Sequence, residues 1–187
     1  MTVSFGKSGI IAVAMAVLAL ALAPPGDAAA QRCGRFAAAP GTLTDHQLRT
    51  SVLCLVNLAR ERNGIAPLRY SAALRRSATA HSKNMVRMSS LSHYGPGGST
   101  PTTRIARSGY LASFETYRLA ENIGAGQGPG YGSPLAITRG WLRSAGHRRN
   151  ILDRGLHDFG VGIARGNPFG ADGNAATYTL DLGARHR

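Results

Sequence analysis

The amino-acid sequence predicts an α+β domain in which helices cover a small antiparallel sheet. Through most of the chain, apolar residues recur at the spacing of amphipathic helices. Near its end, two short apolar runs flank a segment rich in Gly, Asn and Pro, a pattern typical of an antiparallel hairpin. Because helices and strands do not alternate regularly, the sequence does not indicate a doubly wound parallel sheet.

Residues 1–30 have the layout of a secretory signal peptide, with a basic start at Lys7, an apolar run over residues 10–23 and small residues up to Ala30. The run is short for a membrane span. Cys33 stands too far from the cleavage point for a lipid anchor. We therefore expect cleavage after Ala30 and a secreted, extracellular protein with no transmembrane segment. An uncleaved N-terminal anchor is the alternative.

Residues 31–43 are rich in Ala, Gly and Pro and predict a leader to one domain over residues 44–187, expected to be a monomer. A first helix begins after Thr44, which has the spacing of a capping box with Gln47. Its apolar residues lie on one face: Leu48, Val52, Leu55, Val56 and Ala59. Its arginines lie outside that face: Arg49, Arg60 and Arg62.

Three further helices are predicted from their first residues. Pro101 occupies the favoured first position of a short helix that stops at Gly109, and Ser133-Pro134 opens another that carries the single tryptophan, Trp141. Between these and the first helix, a helix capped by a serine presents a mostly apolar inward face: Ser71 as the cap, then Leu74, Ala78, His81, Met85 and Met88.

Strands are predicted over residues 117–123, 159–163 and 178–182, the last two paired as the hairpin. A glycine-rich loop over residues 124–132 follows the first strand. It has no Gly-Lys-Ser/Thr ending and is therefore no phosphate-cradling loop. We expect it to form a rim of a cleft beside that strand.

The formal net charge is +13, and nearly all of the positive charge is arginine. Such a charge attracts polyanions, which outside a cell include anionic envelope surfaces. The arginines are scattered, and aromatic residues do not interleave with them as a nucleic-acid stacking surface would require. A specific nucleic-acid partner is therefore not expected.

Cys33 and Cys54 are the two cysteines of the chain. An even number of cysteines in an exported protein usually pairs, because the compartment is oxidising. A disulfide between them would tie the leader to the first helix and stabilise the fold by roughly 3 kcal/mol. A buried free thiol at Cys54 is the alternative.

Three polar side chains stand beside apolar sequence at the edges of predicted elements: His93, Glu121 and His147. A carboxylate near Leu119 and Ile123 is costly to bury unless a positive or donating group meets it. Two imidazoles and a carboxylate suit a divalent cation such as zinc. Their spacings of 28 and 26 residues match no local metal signature. The alternative is that each side chain satisfies a buried backbone group.

Other catalytic interpretations are weaker. The sequence contains no Gly-x-Ser-x-Gly elbow, and Ser144 near His147 has no identified orienting acid, so a serine hydrolase is not indicated. His81 lies among apolar positions of its helix and is expected to be a core histidine rather than a metal ligand.

Seven segments occur in an order typical of one protein family: LVNLARERNGIAPLRYSAALRRSATAHSKNM, LSHYGPGG, RIARSGY, LAENIGAG, GWLRSAGHRRNIL, FGVGIA and YTLDLG. Together they resemble the CAP superfamily, which comprises cysteine-rich secretory proteins, antigen 5 and pathogenesis-related-one proteins. The likeness is strongest to its short exported bacterial branch, with an SCP-like extracellular domain. It covers about residues 44–183.

The resemblance implies an α-β-α sandwich whose central cleft is lined by two histidines and two glutamates. In several members these residues bind a divalent cation, often zinc. By motif, three of the four positions are His93, Glu121 and His147. The second glutamate commonly lies three residues after the helix tryptophan, where this chain has Ser144. With one carboxylate fewer, we expect a metal to bind less tightly.

The resemblance leaves three functions open. The first, which we favour, is a secreted protein that binds a small amphipathic or lipid-like ligand. The second is a structural or interaction protein in which the His/Glu cluster only stabilises the fold. The third is a metal-assisted hydrolase in which His93 and His147 hold the ion and Glu121 is the general base for a bound water. Residues expected to line the cleft beside this cluster are Tyr94, Asn122, Trp141 and Ser144.

Overall fold

A computed structural model describes residues 30–112, 116–170 and 173–186. The predicted signal peptide lies outside the described residues, apart from Ala30. The helices are α1 (Asp45–Arg62), α2 (Ala72–Arg87), α3 (Pro101–Arg107), α4 (Pro134–Arg143) and α5 (Ala145–Ile151). The strands are β1 (Arg69–Tyr70), β2 (Thr116–Gln127), β3 (Asp158–Arg165) and β4 (Ala175–His186). Short 3-10 turns span Pro40–Thr42 and Pro96–Gly98, and a π turn spans Gly128–Gly132.

The four strands form one sheet in the order β1-β3-β4-β2. The predicted hairpin is confirmed, because β3 and β4 pair antiparallel with Val161 opposite Leu180. Strand β2 also pairs antiparallel with β4 and continues through the predicted glycine-rich loop as far as Gln127. Two-residue strand β1 pairs parallel with β3 and adds a short parallel edge to the predicted antiparallel sheet. Two residues are too few to show an alternating pattern.

Helix α2 covers one face of the sheet, and two glycines allow it to lie close to β3. A side-chain carbon at Gly160 would overlap the backbone of Leu74 and Arg75, and one at Gly162 would overlap the backbone of Ala78. A buried hydroxyl pair, Ser82 with Thr179 of β4 at 2.8 Å, joins the two layers. The close approach depends on the absence of side chains at these positions.

Helices α1, α4 and α5 cover the opposite face and enclose the main core. Alternate residues of β3 and β4 point into it, as period-2 patterning requires. Each fully buried Leu or Ile stabilises the fold by about 1.5–3 kcal/mol. Buried residues of this core include Leu48, Val52, Val56, Trp141, Ile151, Val161, Leu180 and Leu182. With α2 on the other face, the three layers confirm the α+β sandwich of the CAP type.

The predicted helix starts are confirmed by their caps. The Thr44 side chain accepts a hydrogen bond from the Gln47 amide at 3.2 Å, and the Gln47 side chain accepts one from the Thr44 amide at 2.8 Å. Ser71 caps α2 and Ser133 caps α4. A further helix, α5, which the sequence analysis did not predict, starts directly after Ser144 and contains His147 as its third residue.

Two predicted side-chain positions are wrong. Met88 is 46% exposed because α2 ends at the residue before it. Arg60 was expected off the apolar face of α1 but is 1% exposed. Its guanidinium donates to backbone carbonyl groups at the end of α5 and in the following turn, those of Ile151, Asp153 and Leu156. These bonds satisfy a charge whose burial would otherwise destabilise the fold.

The predicted disulfide between Cys33 and Cys54 is present, with the two Cα atoms 5.4 Å apart. The Ser51 hydroxyl donates to the Cys33 carbonyl at 2.9 Å, which adds a second tie between the leader and α1. Within the described ranges, none of the helices combines the length and the apolar composition that crossing a membrane requires.

Candidate functional site

Glu121 is the centre of the candidate site. It lies in the middle of β2, directly opposite Asp181 of β4, and is 6% exposed. The end of β2 that follows Glu121 runs beside α4 and α5, while the loop after α2 brings His93 to the same strand. This strand is the edge of the sheet, so side chains from both helix layers reach it.

Both carboxylate oxygens of Glu121 have close partners. Nδ1 of His93 lies 2.8 Å from Oε1, and Nη2 of Arg104 donates to Oε2 at 2.6 Å. Nε2 of His81 lies 3.8 Å from Oε1. The side chains of Glu121 and Arg104 are 2% and 7% exposed, whereas that of His93 is 46% exposed. Charge-assisted hydrogen bonds of this kind are about twice as strong as neutral ones.

These partners decide the charge of Glu121. Burial alone would raise the pKa of its carboxyl group, but the hydrogen bond from His93 and the charge of Arg104 lower the pKa below its ordinary value. Glu121 is therefore ionised at neutral pH. A carboxylate with a lowered pKa and two engaged oxygens is a poor general base, so the hydrolase interpretation gains no support from this geometry.

Arg104 is a site residue that sequence reasoning missed. From α3, its Nη1 donates to the carbonyl oxygens of His93 and Ser99, so one guanidinium holds both Glu121 and the loop that carries His93. Arg104 lies in the quoted segment RIARSGY, next to Ile105. The signal that could have found it is the requirement for a positive partner next to a buried Glu121.

Asp181 was also missed, although it is a second carboxyl group beside Glu121. It is 0% exposed, and neither of its oxygens has a hydrogen-bond partner among the described residues. Burial raises the pKa of Asp181 well above its ordinary value, and the neighbouring charge of Glu121 raises it further. Burial therefore favours the neutral form of the Asp181 carboxyl group. A single Asp in the apolar segment YTLDLG was the available signal.

His81 is a buried histidine, as expected, and is 0% exposed. Its Nε2 lies 2.9 Å from the Ser92 carbonyl, which identifies Nε2 as the protonated nitrogen. Burial lowers the pKa of His81, in spite of the opposing effect of Glu121. The ring is therefore neutral and ties α2 to the loop that carries His93.

His147 does not contact Glu121. Its backbone carbonyl accepts a hydrogen bond from the buried side chain of Asn122 at 3.1 Å, which joins α5 to β2. Partial burial lowers the pKa of the His147 imidazole, and the nearby charge of His93 lowers it further. The two histidines are therefore electrostatic neighbours across the edge of β2.

A cavity of about 420 Å³, here called the His147 cavity, lies along β2 beside α4. Trp141 lines it, and the Trp141 ring nitrogen donates to the Ile123 carbonyl at 2.9 Å. The glycine-rich segment forms one rim, as expected. Its apolar and small lining residues are Leu91, Ile123, Gly124, Ala125, Gly130, Tyr131, Ala136, Ile137, Gly140 and Trp141, and its polar ones are Arg143, Ser144 and His147.

The structure separates the predicted cleft residues into two groups. Trp141 and Ser144 line the His147 cavity, whereas Asn122 is 0% exposed and joins β2 to α5. Tyr94 is 65% exposed and does not line the cavity. Three larger cavities, of about 450, 500 and 580 Å³, lie elsewhere, and none of them is lined by His93, Glu121 or His147.

The three predicted metal ligands do not fit the zinc site that the resemblance implies. One oxygen of Glu121 is bonded to His93, and the other faces the positive charge of Arg104, where a cation would have to approach. In the part of the chain that the structure describes, no three His, Cys, Asp or Glu side chains form a group able to hold a metal ion. Divalent-cation binding stays a prediction of the resemblance.

Comparison with known proteins identifies the family. The model of the CAP family, described as the cysteine-rich secretory protein family, matches residues 53–179. The uncharacterized protein YkwD of Bacillus subtilis (strain 168) is 30% identical over 135 residues, which is 72% of this chain and 49% of YkwD. This chain therefore spans about half the length of that relative.

Solved structures share the fold. An extracellular protein containing an SCP domain from Bacillus anthracis str. Ames matches with a TM-score of 0.59 and 26% identity, over 75% of this chain and 43% of that protein. An outer surface protein from Borrelia burgdorferi matches with a TM-score of 0.56 and 18% identity, over 70% of this chain and 87% of that protein. The second match shows a common fold alone.

The matched range contains both layers that meet at the site, from Leu53 in α1 to Thr179 in β4. His93, Glu121 and His147 all lie within it. The family model, the relative and the shared fold all support the family that the seven sequence segments indicate. The chain therefore belongs to the cysteine-rich secretory protein family, the CAP superfamily.

Proposed function

We propose that this chain is the ligand-binding domain of an exported CAP protein and that its ligand is a small amphipathic molecule. The observation that carries the proposal is the His147 cavity. Its apolar lining side chains, among them Ile137 and Trp141, suit a hydrocarbon portion. Its polar lining residues, Arg143, Ser144 and His147, suit a polar or negatively charged group.

The size of the cavity supports this class of ligand. A volume of about 420 Å³ falls within the roughly 300–1,000 Å³ that is typical of small-molecule pockets. Its glycine-rich rim carries few side chains, which leaves room beside Tyr131, an 81% exposed aromatic residue. The cavity therefore combines apolar and polar lining residues with room for a small ligand.

Export is the second part of the proposal. It is supported by the signal-peptide layout of residues 1–30 and by the likeness to the solved extracellular protein of Bacillus anthracis. A net charge of +13 would concentrate the protein at anionic envelope surfaces, where amphipathic molecules are found. N-terminal sequencing of the protein recovered from the culture medium tests the export step, with Gln31 as the expected first residue.

Ligand binding can be followed through Trp141, because it is the single tryptophan and lines the cavity. The purified protein is titrated with a panel of fatty acids, lysophospholipids and sterols while the tryptophan fluorescence is recorded. The proposal predicts a saturable change with at least one class of ligand. A panel without a saturable change, confirmed by calorimetry, would refute it.

A matched pair of variants locates the binding. Gly140 lines the cavity and Gly146 does not, and a β-carbon at either position meets no neighbouring atom within 4 Å. Gly140→Leu should fill the cavity and abolish the fluorescence change, whereas Gly146→Leu should leave it intact. Equal binding by both variants would place the ligand outside the His147 cavity.

A structural role is the second candidate for the cluster of His93, Glu121 and Arg104. It is favoured by one observation: a buried ionised carboxylate whose two oxygens are both engaged by side chains from other segments. Such a cluster holds the α2–α3 loop and α3 against the sheet without any ligand. Stability measurements on its members, described below, test this role separately from ligand binding.

A further inference from the structure

A groove between α2 and α3, here called the α2–α3 groove, lies apart from the His147 cavity and has a different chemical lining. Its volume is about 400 Å³, and three arginines line it: Arg76 of α2, and Arg104 and Arg107 of α3. No carboxylate is among the described residues that line it. The remaining lining residues are Ser77, Ala80, Asn84, Pro96, Ser99 and Ser108.

Arg76 is held across the groove. Its Nη2 donates to the carbonyl of Ser108, at the end of α3, at 2.9 Å. The guanidinium is therefore fixed at the groove while its other N–H groups stay available, since one guanidinium carries five donors. Arg107 is exposed on α3 and lines the same groove.

Oγ of Ser77 has the carboxyl group of Asp181 as its polar neighbour, whereas the buried donor Nε of Arg104 has no partner among the described residues. The residues are 4% and 8% exposed. A buried donor without an acceptor destabilises a fold by about 1–3 kcal/mol. An oxyanion in the groove could supply the missing acceptor after a small side-chain adjustment.

The balance of charge also favours an anion. Arg104 is neutralised by Glu121, which leaves the charges of Arg76 and Arg107 facing the groove. The carboxyl group of Asp181 lies near Ser77, but it is fully buried and does not line the groove, and burial favours its neutral form. The groove is therefore a site of net positive charge with polar walls.

We propose that the α2–α3 groove binds a phosphate-sized oxyanion, held by Arg76 and Arg107 at its mouth and by Ser77 and Arg104 at its base. Phosphate oxygens accept several hydrogen bonds at once, which matches a set of guanidinium and hydroxyl donors. The same group occurs as free phosphate and as the phosphomonoester headgroup of a lipid. This site is independent of the ligand proposed for the His147 cavity.

The test follows the side-chain Nε–H signal of Arg104 by NMR while sodium phosphate is added at constant ionic strength, with sodium chloride as the reference. Saturable binding of phosphate should shift this signal. Arg107→Gln and Ser77→Ala should each weaken the affinity by about threefold, the effect expected for an exposed charge or a single hydrogen bond. A signal that does not move with phosphate would overturn the proposal.

Arg149→Gln is the matched control, since it removes the same charge from α5, outside the groove. It should leave the phosphate affinity within about twofold of the unsubstituted protein, because a distant exposed charge is screened by salt. Equal weakening by Arg149→Gln and Arg107→Gln would mean that only the overall charge attracts the anion, which contradicts a specific site.

A second measurement identifies the source of the phosphate group. Sedimentation with phosphatidylcholine vesicles, with and without phosphatidic acid, is compared for Arg107→Gln and Arg149→Gln. A loss of vesicle binding confined to Arg107→Gln and reversed by free phosphate identifies a lipid headgroup. Binding of free phosphate alone identifies the soluble ion. Failure of both probes to distinguish the two variants would overturn the proposal.

Discussion

Nη2 of Arg104 and Oε2 of Glu121 lie 2.6 Å apart, and both side chains are more than nine-tenths buried. One comes from the short helix α3 and the other from the edge strand β2, 17 positions further along the chain. Arg104 also donates to the carbonyl oxygens of His93 and Ser99. This pair therefore joins the sheet, α3 and the loop that carries His93, and the architecture of the site depends on it.

Glu121→Gln should destabilise the protein by about 3–5 kcal/mol, because it leaves the buried charge of Arg104 without its partner. The free energy of unfolding is measured by urea denaturation at pH 7. Since the pKa of Glu121 is lowered in the folded state, its contribution is present above the unfolded pKa of about 4.3 and is lost as the pH falls through the folded pKa.

The exposed pair Arg118–Asp153 provides the control for that substitution. Its atoms lie 2.8 Å apart, but the side chains are 62% and 26% exposed. Arg118→Gln should therefore cost less than about 1 kcal/mol. Equal losses at the two sites would contradict a structural role for the buried pair.

Asp181→Asn should keep the shape of the site and change the pH dependence of stability. Because the pKa of Asp181 is raised in the folded state, its stabilising effect is present below the unfolded pKa of about 3.9 and is lost as the pH rises toward the folded pKa. The side chain of asparagine does not titrate, so it contributes no such pH dependence to the stability. The variant should therefore gain stability relative to the unsubstituted protein between about pH 4 and pH 7.

Thermal melts of both proteins across that pH range provide the measurement. Parallel stability curves would show that Asp181 titrates alike in the folded and unfolded chains, against the burial argument. Coupling to Glu121 can be resolved in the double variant Glu121→Gln/Asp181→Asn, because interacting carboxyl groups titrate as a pair.

Removal of the disulfide through Cys33→Ser/Cys54→Ser should lower the free energy of unfolding by about 3 kcal/mol, because the unfolded chain regains the freedom of the closed loop. Denaturation of the unsubstituted protein with a reducing agent should show the same loss. A reduced protein as stable as the oxidised one would show that other contacts, such as Ser51 with the Cys33 carbonyl, are sufficient.

Gly160→Ala should destabilise the protein by more than about 3 kcal/mol, because the new carbon overlaps the backbone of α2 and the helix layer must move. Gly140→Ala in α4 is the control, since a side chain there meets no atom within 4 Å. That change should stabilise the helix by up to about 1 kcal/mol. Melting temperatures that fall equally in both variants would contradict the close packing of α2 on β3.

The sequence alone was sufficient for the local parts of the fold. These parts depend on residues near one another in sequence or on simple patterns. They are the caps at Thr44 and Ser71, the apolar face of α1, the β3–β4 hairpin and the pairing of Cys33 with Cys54. Period and capping rules act over a few residues, so one chain is enough to read them. The order of the seven sequence segments indicated the family and, through it, the sandwich of three layers.

Tertiary structure decided which polar groups meet. Arg104 and Asp181 showed no local signal of their contact with Glu121, since one lies on a short helix and the other on a distant strand. The same holds for Arg60, which is buried against carbonyl groups more than 90 residues away. Charge compensation in a low-dielectric interior depends on distance in space and not on spacing in sequence. For this reason the sequence identified Glu121 as a costly buried charge, and only the fold showed what neutralises it.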